Sequence, residues 1–390
     1  MAEQRDETLE RMRGLGVVLL VQDTTSFDFS HHPAAAGMGP LENVHCQGFF
    51  AHSTLAVSGE GLPLGVLEQQ VWVRLASETG KAVQRHERAF ADKESYKWVV
   101  GLPTLPTAGR SPQFITVADR ESHIYEFLDE VLQREMDFIV RATSARSFTQ
   151  DGQDVVEVLA QQPIQASYSL HLQRRPDREV RDAQVEVRFA SVVLRRPQRA
   201  ITERETLTVQ VVEVHEPNPP TGQEAVHWVL LTSRPIHTVE QAQTIIRFYT
   251  YRWLIERFQY TLKSGCKIEE RQLRDEKRWE RLLAVFSLVT WKLLWITYQA
   301  RQTPDAPCTV VLLPIEWQAL YAFIHRTQRL PPTPPSLHTV VRWIAQLGGF
   351  LGRNGDGEPG VKVLWRGWTR LMDIAATWSI AHPYPPKTCG

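Results

Sequence analysis

The chain has 390 residues, 43% of them hydrophobic, which is enough for one large buried core with attached modules. Basic and acidic side chains number 44 each, so no overall basic excess points to a nucleic-acid binder, and affinity for a polyanion must come from local patches. Cys46, Cys266, Cys308 and Cys389 stand apart with no C-x-x-C pair, which excludes a zinc ribbon or disulfide framework and reads as reduced thiols.

The polar stretch Met1 to Glu10 has no apolar signal segment. The longest apolar run, Leu282 to Tyr298, contains Lys292 and reads as a buried helix rather than a bilayer span. A cytoplasmic protein with no membrane partner is expected. A short charged helix is predicted over Thr8 to Arg13, and then Val17 to Val21 reads as a buried strand that stops at Gln22-Asp23, leaving an acid at the strand's C-terminal end. Phe49 to Val57 and Leu64 to Leu75 follow as strands across a turn holding Gly59, Gly61 and Pro63. A polar helix over Arg85 to Val100 and the Pro/Gly-rich segment 103–112 lead to the strand Phe114 to Ala118, which again ends in an acid, Asp119. A helix through Ile124, Phe127, Leu128, Val131 and Leu132 and the strand Phe138 to Ala142 complete the series.

Three strands, helix, strand, helix, strand is the order of an α/β fold with a ribonuclease-H-like core, a mixed sheet with flanking helices. Ligands of such open sheets sit at the carboxyl ends of the strands, where Asp23 and Asp119 fall. From about residue 150 the pattern changes to alternating strands without helices, Ser167 to Leu172, Ala183 to Leu194, Thr206 to Val214 and Val226 to Leu231, read as an antiparallel β insertion. Arginine outnumbers acid there, at Arg174, Arg175, Arg178, Arg181, Arg188, Arg195, Arg196, Arg199 and Arg204; this is either a phosphate-binding patch or the solvated face of a sheet. Helices are predicted over Val239 to Lys263, Glu276 to Tyr298 and Pro314 to His325, and once more after the Pro-rich linker Leu330 to Pro335, to form a helical C-terminal region. The loop Gly348 to Gly360 lacks the Lys-Ser/Thr ending of a phosphate cradle. The expected parts are 1–148, the first part of the core; 149–237, the insertion; 238–300, the core helices; and 301–390, the helical C-terminal region.

The stretch Phe248 to Lys263 carries the most chemistry. At about 100° per residue, Tyr249, Arg252, Glu256 and Lys263 fall on one stripe, with Leu254, Ile255, Phe258 and Leu262 on the other side to dock on the sheet. By itself the stripe reads more readily as an exposed ion-pair ladder. Joined to two strand-end aspartates, however, Glu256 completes a set of hard oxygen ligands of the kind that holds two divalent ions for phosphoryl transfer.

At these residues the chain resembles the insertion-sequence-four family of DDE transposases. The signature Tyr-x2-Arg-x3-Glu-x6-Lys is complete as Tyr249, Arg252, Glu256 and Lys263. Asp23 in Val-Gln-Asp-Thr-Thr and Asp119 in Val-Ala-Asp-Arg-Glu-Ser-His match the two aspartates, and the likeness continues through the segments beginning His52-Ser-Thr-Leu, Gly61-Leu-Pro, His227-Trp-Val and Leu347-Gly-Gly. The resemblance implies a cut-and-paste enzyme with Asp23, Asp119 and Glu256 as catalytic, metal-binding acids for two Mg2+ ions, replaceable by Mn2+. It implies Tyr249, Arg252 and Lys263 on the terminal phosphates, Trp228 stacked on a flipped base, and Arg141 and Trp253 as further DNA contacts. Core packing is the competing reading of Trp228. The implied partners are double-stranded DNA, both transposon ends and target, and a second copy of the chain in a homodimer paired on DNA. The family's helical recognition domain precedes the first aspartate, where this chain has 22 residues. A regulatory remnant that binds DNA or partner subunits is therefore the alternative, with a nuclease of the same fold as a third reading.

Overall fold

The computed structural model describes residues 2–32, 34–43, 45–75, 88–105, 112–143, 149–172, 180–272 and 276–382. Arg174, Arg175, Arg178 and Cys389 lie outside these residues. The chain divides into two compact units, the first formed by Met1–Arg257 with Arg274–Glu276 and the second by Phe258–Leu273 with Lys277–Gly390.

The first unit begins with helix α1 (Ala2–Met12), followed by strands β1 (Val17–Asp28), β2 (Gly39–Pro40), β3 (Gln47–Ser58) and β4 (Pro63–Trp72). β5 (Gln113–Ala118), α2 (Tyr125–Gln133) and β6 (Asp137–Arg141) come next, then α3 (Val155–Ala160), β7 (Ala166–Leu172), β8 (Arg181–Arg195), β9 (Thr206–His215) and β10 (His227–Thr232). Helix α4 (Val239–Thr250) and α5 (Trp253–Tyr260) follow.

β1, β3 and β4 form an antiparallel meander, and β5 and β6 add on the other side of β1 in parallel. The order β4-β3-β1-β5-β6 is that of a ribonuclease-H-like core. The insertion does not form a sheet of its own, because β10 pairs antiparallel with β6 and carries β9, β8 and β7 outward, giving a single ten-stranded sheet. One sheet face is covered by α2 and the segment around Trp98, with Phe127, Leu128 and Val131 buried against Val18, Leu20, Phe138 and Val140. Helix α4 packs over β5, β6 and β9. It is held at its start by a capping box, in which the Thr238 hydroxyl accepts from the Gln241 N–H and the Gln241 side chain accepts from the Thr238 N–H.

The structure departs from the sequence expectations in four places. β1 does not stop at Gln22 but runs to Asp28, so Asp23 is inside a strand; residues 22–28 keep a backbone partner in β3, and polar side chains do not end a strand whose ladder continues. The predicted helix over Arg85 to Val100 reduces, in its described part, to two 3-10 turns, Phe90–Asp92 and Glu94–Tyr96, and a single helical turn, Lys97–Val100. The insertion does contain a helix, α3, packed on β8 and β9 and started by the Asp154 side chain accepting from the Val156 N–H.

The fourth departure is the helix predicted over Val239 to Lys263, which is not continuous. At Tyr251 and Arg252 its hydrogen bonds tighten to the i→i−3 type, and Thr261–Gly265 winds as a π turn closed by Cys266 N–H donating to the Thr261 carbonyl at 2.8 Å. The aromatic run from Phe248 to Trp253 has low helix propensity, which lowers the cost of the first break.

The second unit is helical: α6 (Glu276–Gln302), α7 (Pro314–His325), α8 (Leu337–Leu347) and α9 (Val361–Ala381). α6 is long and apolar enough to cross a membrane, but its Leu293, Ile296 and Ala300 are buried with Trp317, Leu320, Val341, Ile344, Trp368 and Leu371 of the other three helices. α8 and α9 cross at two glycines, where a Cβ at Gly367 would stand 1.7 Å from the Ile344 carbonyl oxygen and one at Gly348 1.9 Å from that of Val363. α9 was not anticipated from the sequence, because the loop before it is glycine-rich and the tail after it proline-rich.

Candidate active site

The site forms where β1 and β5 part. Their parallel ladder runs from Val17↔Gln113 to Val21↔Val117, and continuing the same offset brings Asp23 level with Asp119, the residue immediately after β5. Asp23 points to the face opposite Gln22 and Thr24 because strand side chains alternate. Its Oδ1 accepts from the Thr24 N–H at 2.8 Å. Asp119 starts the 3-10 turn Arg120–Ser122: its Oδ1 accepts from the Glu121 N–H at 2.9 Å, and its carbonyl accepts from the Ser122 hydroxyl at 2.7 Å.

Arg252 reaches this site from the tightened turn between α4 and α5. Its Nη1 is 3.8 Å from Asp23 Oδ2 and its Nη2 donates to Glu256 Oε1 one turn later. Burial works against the Arg252 charge, but Tyr249, Glu256, Asp23 and Asp119 outweigh it and hold the guanidinium above its ordinary pKa. Burial raises the Asp23 carboxyl to about 7, with Arg252 opposing and Asp119 and Glu256 adding to the rise. The Asp119 carboxyl is also raised, chiefly by burial. These are two acids whose charges are destabilised where they stand, with Arg252 offsetting part of the rise at both and Lys97 at Asp119.

Tyr249, on the last turn of α4, is buried, and its ring meets Trp228 of β10 edge-on with centroids 5.2 Å apart. Burial raises its phenol, while Arg252 and Arg141 pull the other way. Arg141 ends β6 and donates from Nη2 to the His227 carbonyl at 2.7 Å, beside Trp228. The structure thus brings together Asp23, Asp119, Tyr249, Arg252, Glu256, Arg141 and Trp228, while Trp253 opens α5, half-buried.

One expectation is corrected here, and the open reading of the arginines is narrowed. The four-residue stripe is not on one straight helix, because Lys263 lies in the π turn, within the second unit, and a π turn shifts the phase of everything after it. Of the arginine-rich stretch, four of the six described members, Arg181, Arg188, Arg196 and Arg204, pair with carboxylates. Arg181 forms a two-pronged pair with Glu216 at 2.5 and 2.8 Å, Arg188 pairs with Glu213 at 3.0 Å, Arg204 with Asp129 at 2.7 Å and Arg196 with Glu205 at 3.7 Å. Arg195 and Arg199 are exposed, with no ion pair among the described residues.

Asp23 and Asp119 fit a divalent cation by donor chemistry: hard carboxylate oxygens, level with each other, partly buried and mutually repulsive. Glu256 is engaged by Arg252, and no group of three His, Cys, Asp or Glu side chains among the described residues gathers at one ion position.

Sequence reasoning passed over a set of polar residues behind Asp23. Gln22, His52, Thr54 and Thr116 are all buried and hydrogen-bonded to one another or to nearby backbone. Their signal was legible as polar letters inside otherwise apolar strands.

Comparison with known proteins gives two family matches that together run through most of the chain. Residues 103–290 match the transposase DDE domain, and residues 288–384 match the transposase Tn5 dimerisation domain. Among solved structures, similarity is found to a piggyBac transposase in a synaptic complex with hairpin DNA, at 10% identity and a TM-score of 0.34 over 95% of this chain and 55% of that one. The chain spans about half the length of that protein.

Proposed function

Since this chain is a DDE transposase similar to the Tn5 transposase, we propose that it cuts and joins DNA at the ends of a mobile element by a cut-and-paste route, with Asp23, Asp119 and Glu256 as its catalytic acids. The observation that carries the reading is the shared level of Asp23 and Asp119 where β1 and β5 part, beside Arg252. Bound there, two Mg2+ ions, with Mn2+ able to substitute, supply charge stabilisation for both the attacking and the leaving oxygen.

The chain's own side chains do the rest. Asp23 offers carboxylate oxygens from β1 and Asp119 from the turn that follows β5, and Glu256 offers a third from the first turns of α5. Arg252 grips a terminal phosphate through its planar fork, Tyr249 holds the same strand and Arg141 the backbone beside it; Lys263 is assigned to the terminal phosphates by the family signature alone. Trp228 accepts a base turned out of the duplex, with Tyr249 bracing the indole, and Trp253 on α5 is a further DNA contact. The DNA partners are the element's ends and its target. The match of residues 288–384 to a dimerisation domain supports a second copy of the chain as the protein partner.

The test is a plasmid nicking and strand-transfer assay with Mg2+, comparing the chain with Glu256→Gln, and a second arm offering precut element ends with a target plasmid. Loss of both nicking and joining in the variant is expected. Equal behaviour of the two proteins removes the catalytic claim, and the absence of nicking in both favours a chain that binds rather than cuts. Nicking without joining of precut ends means a nuclease.

A further inference from the structure

Asp23 stands at a weak point of the sheet. Beyond Val21 the strand β1 has lost its parallel partner β5 and keeps only β3, so the backbone ladder does not fix the separation of Asp23 from Asp119. Side chains on the opposite sheet face bridge the gap. Gln22 Nε2 donates to Thr116 Oγ1 of β5 at 2.9 Å, and the Thr116 hydroxyl donates to the Leu20 carbonyl at 3.3 Å. With its amide nitrogen so used, Gln22 presents its carbonyl oxygen to His52 Nε2, at 3.0 Å, and His52 Nδ1 lies 2.9 Å from the Thr24 hydroxyl.

The directions of these bonds are forced. Gln22 Oε1 only accepts, so His52 carries its proton on Nε2; Nδ1 of the neutral ring then accepts, and the Thr24 hydroxyl donates to it. Burial, with Lys97 adding to it, drops the imidazole to about 3, so the ring is neutral at ordinary pH. His52 sits directly across from Thr24 in the β1–β3 register, and its ring is met edge-on by Trp98 at 4.7 Å. The chain of bonds is closed over by Gly101, where a Cβ would stand 2.6 Å from Gln22 Oε1 and 2.8 Å from His52 Nε2. One end of this one-way chain is the Thr24 side chain, and the N–H of that same residue holds Asp23 Oδ1.

We propose that His52 and Thr24 are positioning residues for Asp23, a one-tautomer brace that aims its carboxylate at the site from behind the sheet. The inference rests on the reading of Asp23 as a metal ligand. Partners of this kind change metal affinity or activity by roughly 10–100-fold when removed.

Two measurements on the full chain test it. In a two-bond 15N–1H spectrum of 15N-histidine-labelled protein, the His52 signal, identified by its loss in His52→Gln, is expected to show the Nε2–H tautomer and to stay neutral down to pH 5. Protonation near pH 6, or the Nδ1–H form, overturns the brace. Mn2+ binding is then followed by electron paramagnetic resonance. Thr24→Val and His52→Leu are expected to weaken binding at least tenfold. Thr24→Ser, which keeps the hydroxyl, and His52→Gln, whose amide keeps one acceptor and one donor, restore it at equal thermal stability. Mn2+ that is lost in Asp23→Asn yet unaffected by Thr24→Val overturns this proposal alone. Mn2+ binding that survives Asp23→Asn removes the reading of Asp23 itself, and this proposal with it.

Discussion

Trp228 meets Tyr249 edge-on, with ring centroids 5.2 Å apart and planes inclined by 66°. The contact ties the last strand of the insertion to the helix that leads to Arg252 and Glu256. A base stacked on Trp228 therefore rests on a ring that is already braced. Base–aromatic stacking contributes about 1–3 kcal/mol, so Trp228→Ala is expected to slow the step that needs the flipped base by about 5–150-fold, with Trp228→Phe recovering part. The measurement is the brightening of 2-aminopurine at the end position of the DNA. Equal brightening with Trp228→Ala would return Trp228 to a packing role.

Without metal, Asp23 gives stability a defined pH dependence. Its carboxyl is raised from 3.8 to about 7 by burial, against Arg252 and with Asp119 and Glu256. Between those values the folded state keeps a proton that the unfolded chain has released. The contribution to stability is thus complete below the unfolded value and lost as pH rises through the folded one. The urea-unfolding free energy of the metal-free chain is expected to fall between pH 4 and pH 8 by a few kcal/mol more than that of Asp23→Asn, at about 1.4 kcal/mol per pKa unit. Parallel pH profiles for the two proteins would contradict the shift.

Among the described residues of the insertion, paired and unpaired arginines have opposite expected phenotypes. Glu216 is 2% exposed and Arg181 11%, and Glu216 also accepts from the Val226 N–H, so Arg181→Ala leaves a buried carboxylate without its cation at a cost of about 3–5 kcal/mol. Arg195→Ala and Arg199→Ala leave thermal stability unchanged, and each lowers the salt dependence of DNA binding by about one ion. Chemical denaturation and salt-dependent DNA titration separate the groups. A full loss of salt dependence in Arg181→Ala at wild-type stability would reverse the assignment.

In the second unit, Gly367→Ala places a methyl against the Ile344 carbonyl, at a distance no relaxation of a flexible side chain relieves. Overpacking of about 1–3 kcal/mol or more is expected, with a lower melting temperature and weaker self-association by sedimentation velocity. Gly360→Ala, which meets nothing within 4 Å, is the control that leaves both unchanged. Normal self-association in Gly367→Ala would separate the α8–α9 crossing from pairing of the chains.

The strands were legible as apolar runs in the core and as alternating apolar and polar residues in the insertion, and β3, β5, β6 and all four insertion strands agree with their expected spans to within a few residues. The signature Tyr249, Arg252, Glu256 and Lys263 was legible as letters at fixed spacing, but its geometry was not. A helical wheel assumes a constant 100° per residue, and the chain departs from that at Tyr251–Arg252 and again in the π turn that holds Lys263.

Sequence by itself determined which acids this protein has available, which strands carry or adjoin them and which family it resembles, since these follow from local pattern and residue identity. Only the tertiary structure decided that Asp23 and Asp119 stand level, that Arg181 faces Glu216 rather than solvent, and that His52 braces Thr24. Each of these depends on the register between strands or helices distant in sequence, which is fixed by the packing of the whole sheet and not by the residues adjoining any one of them.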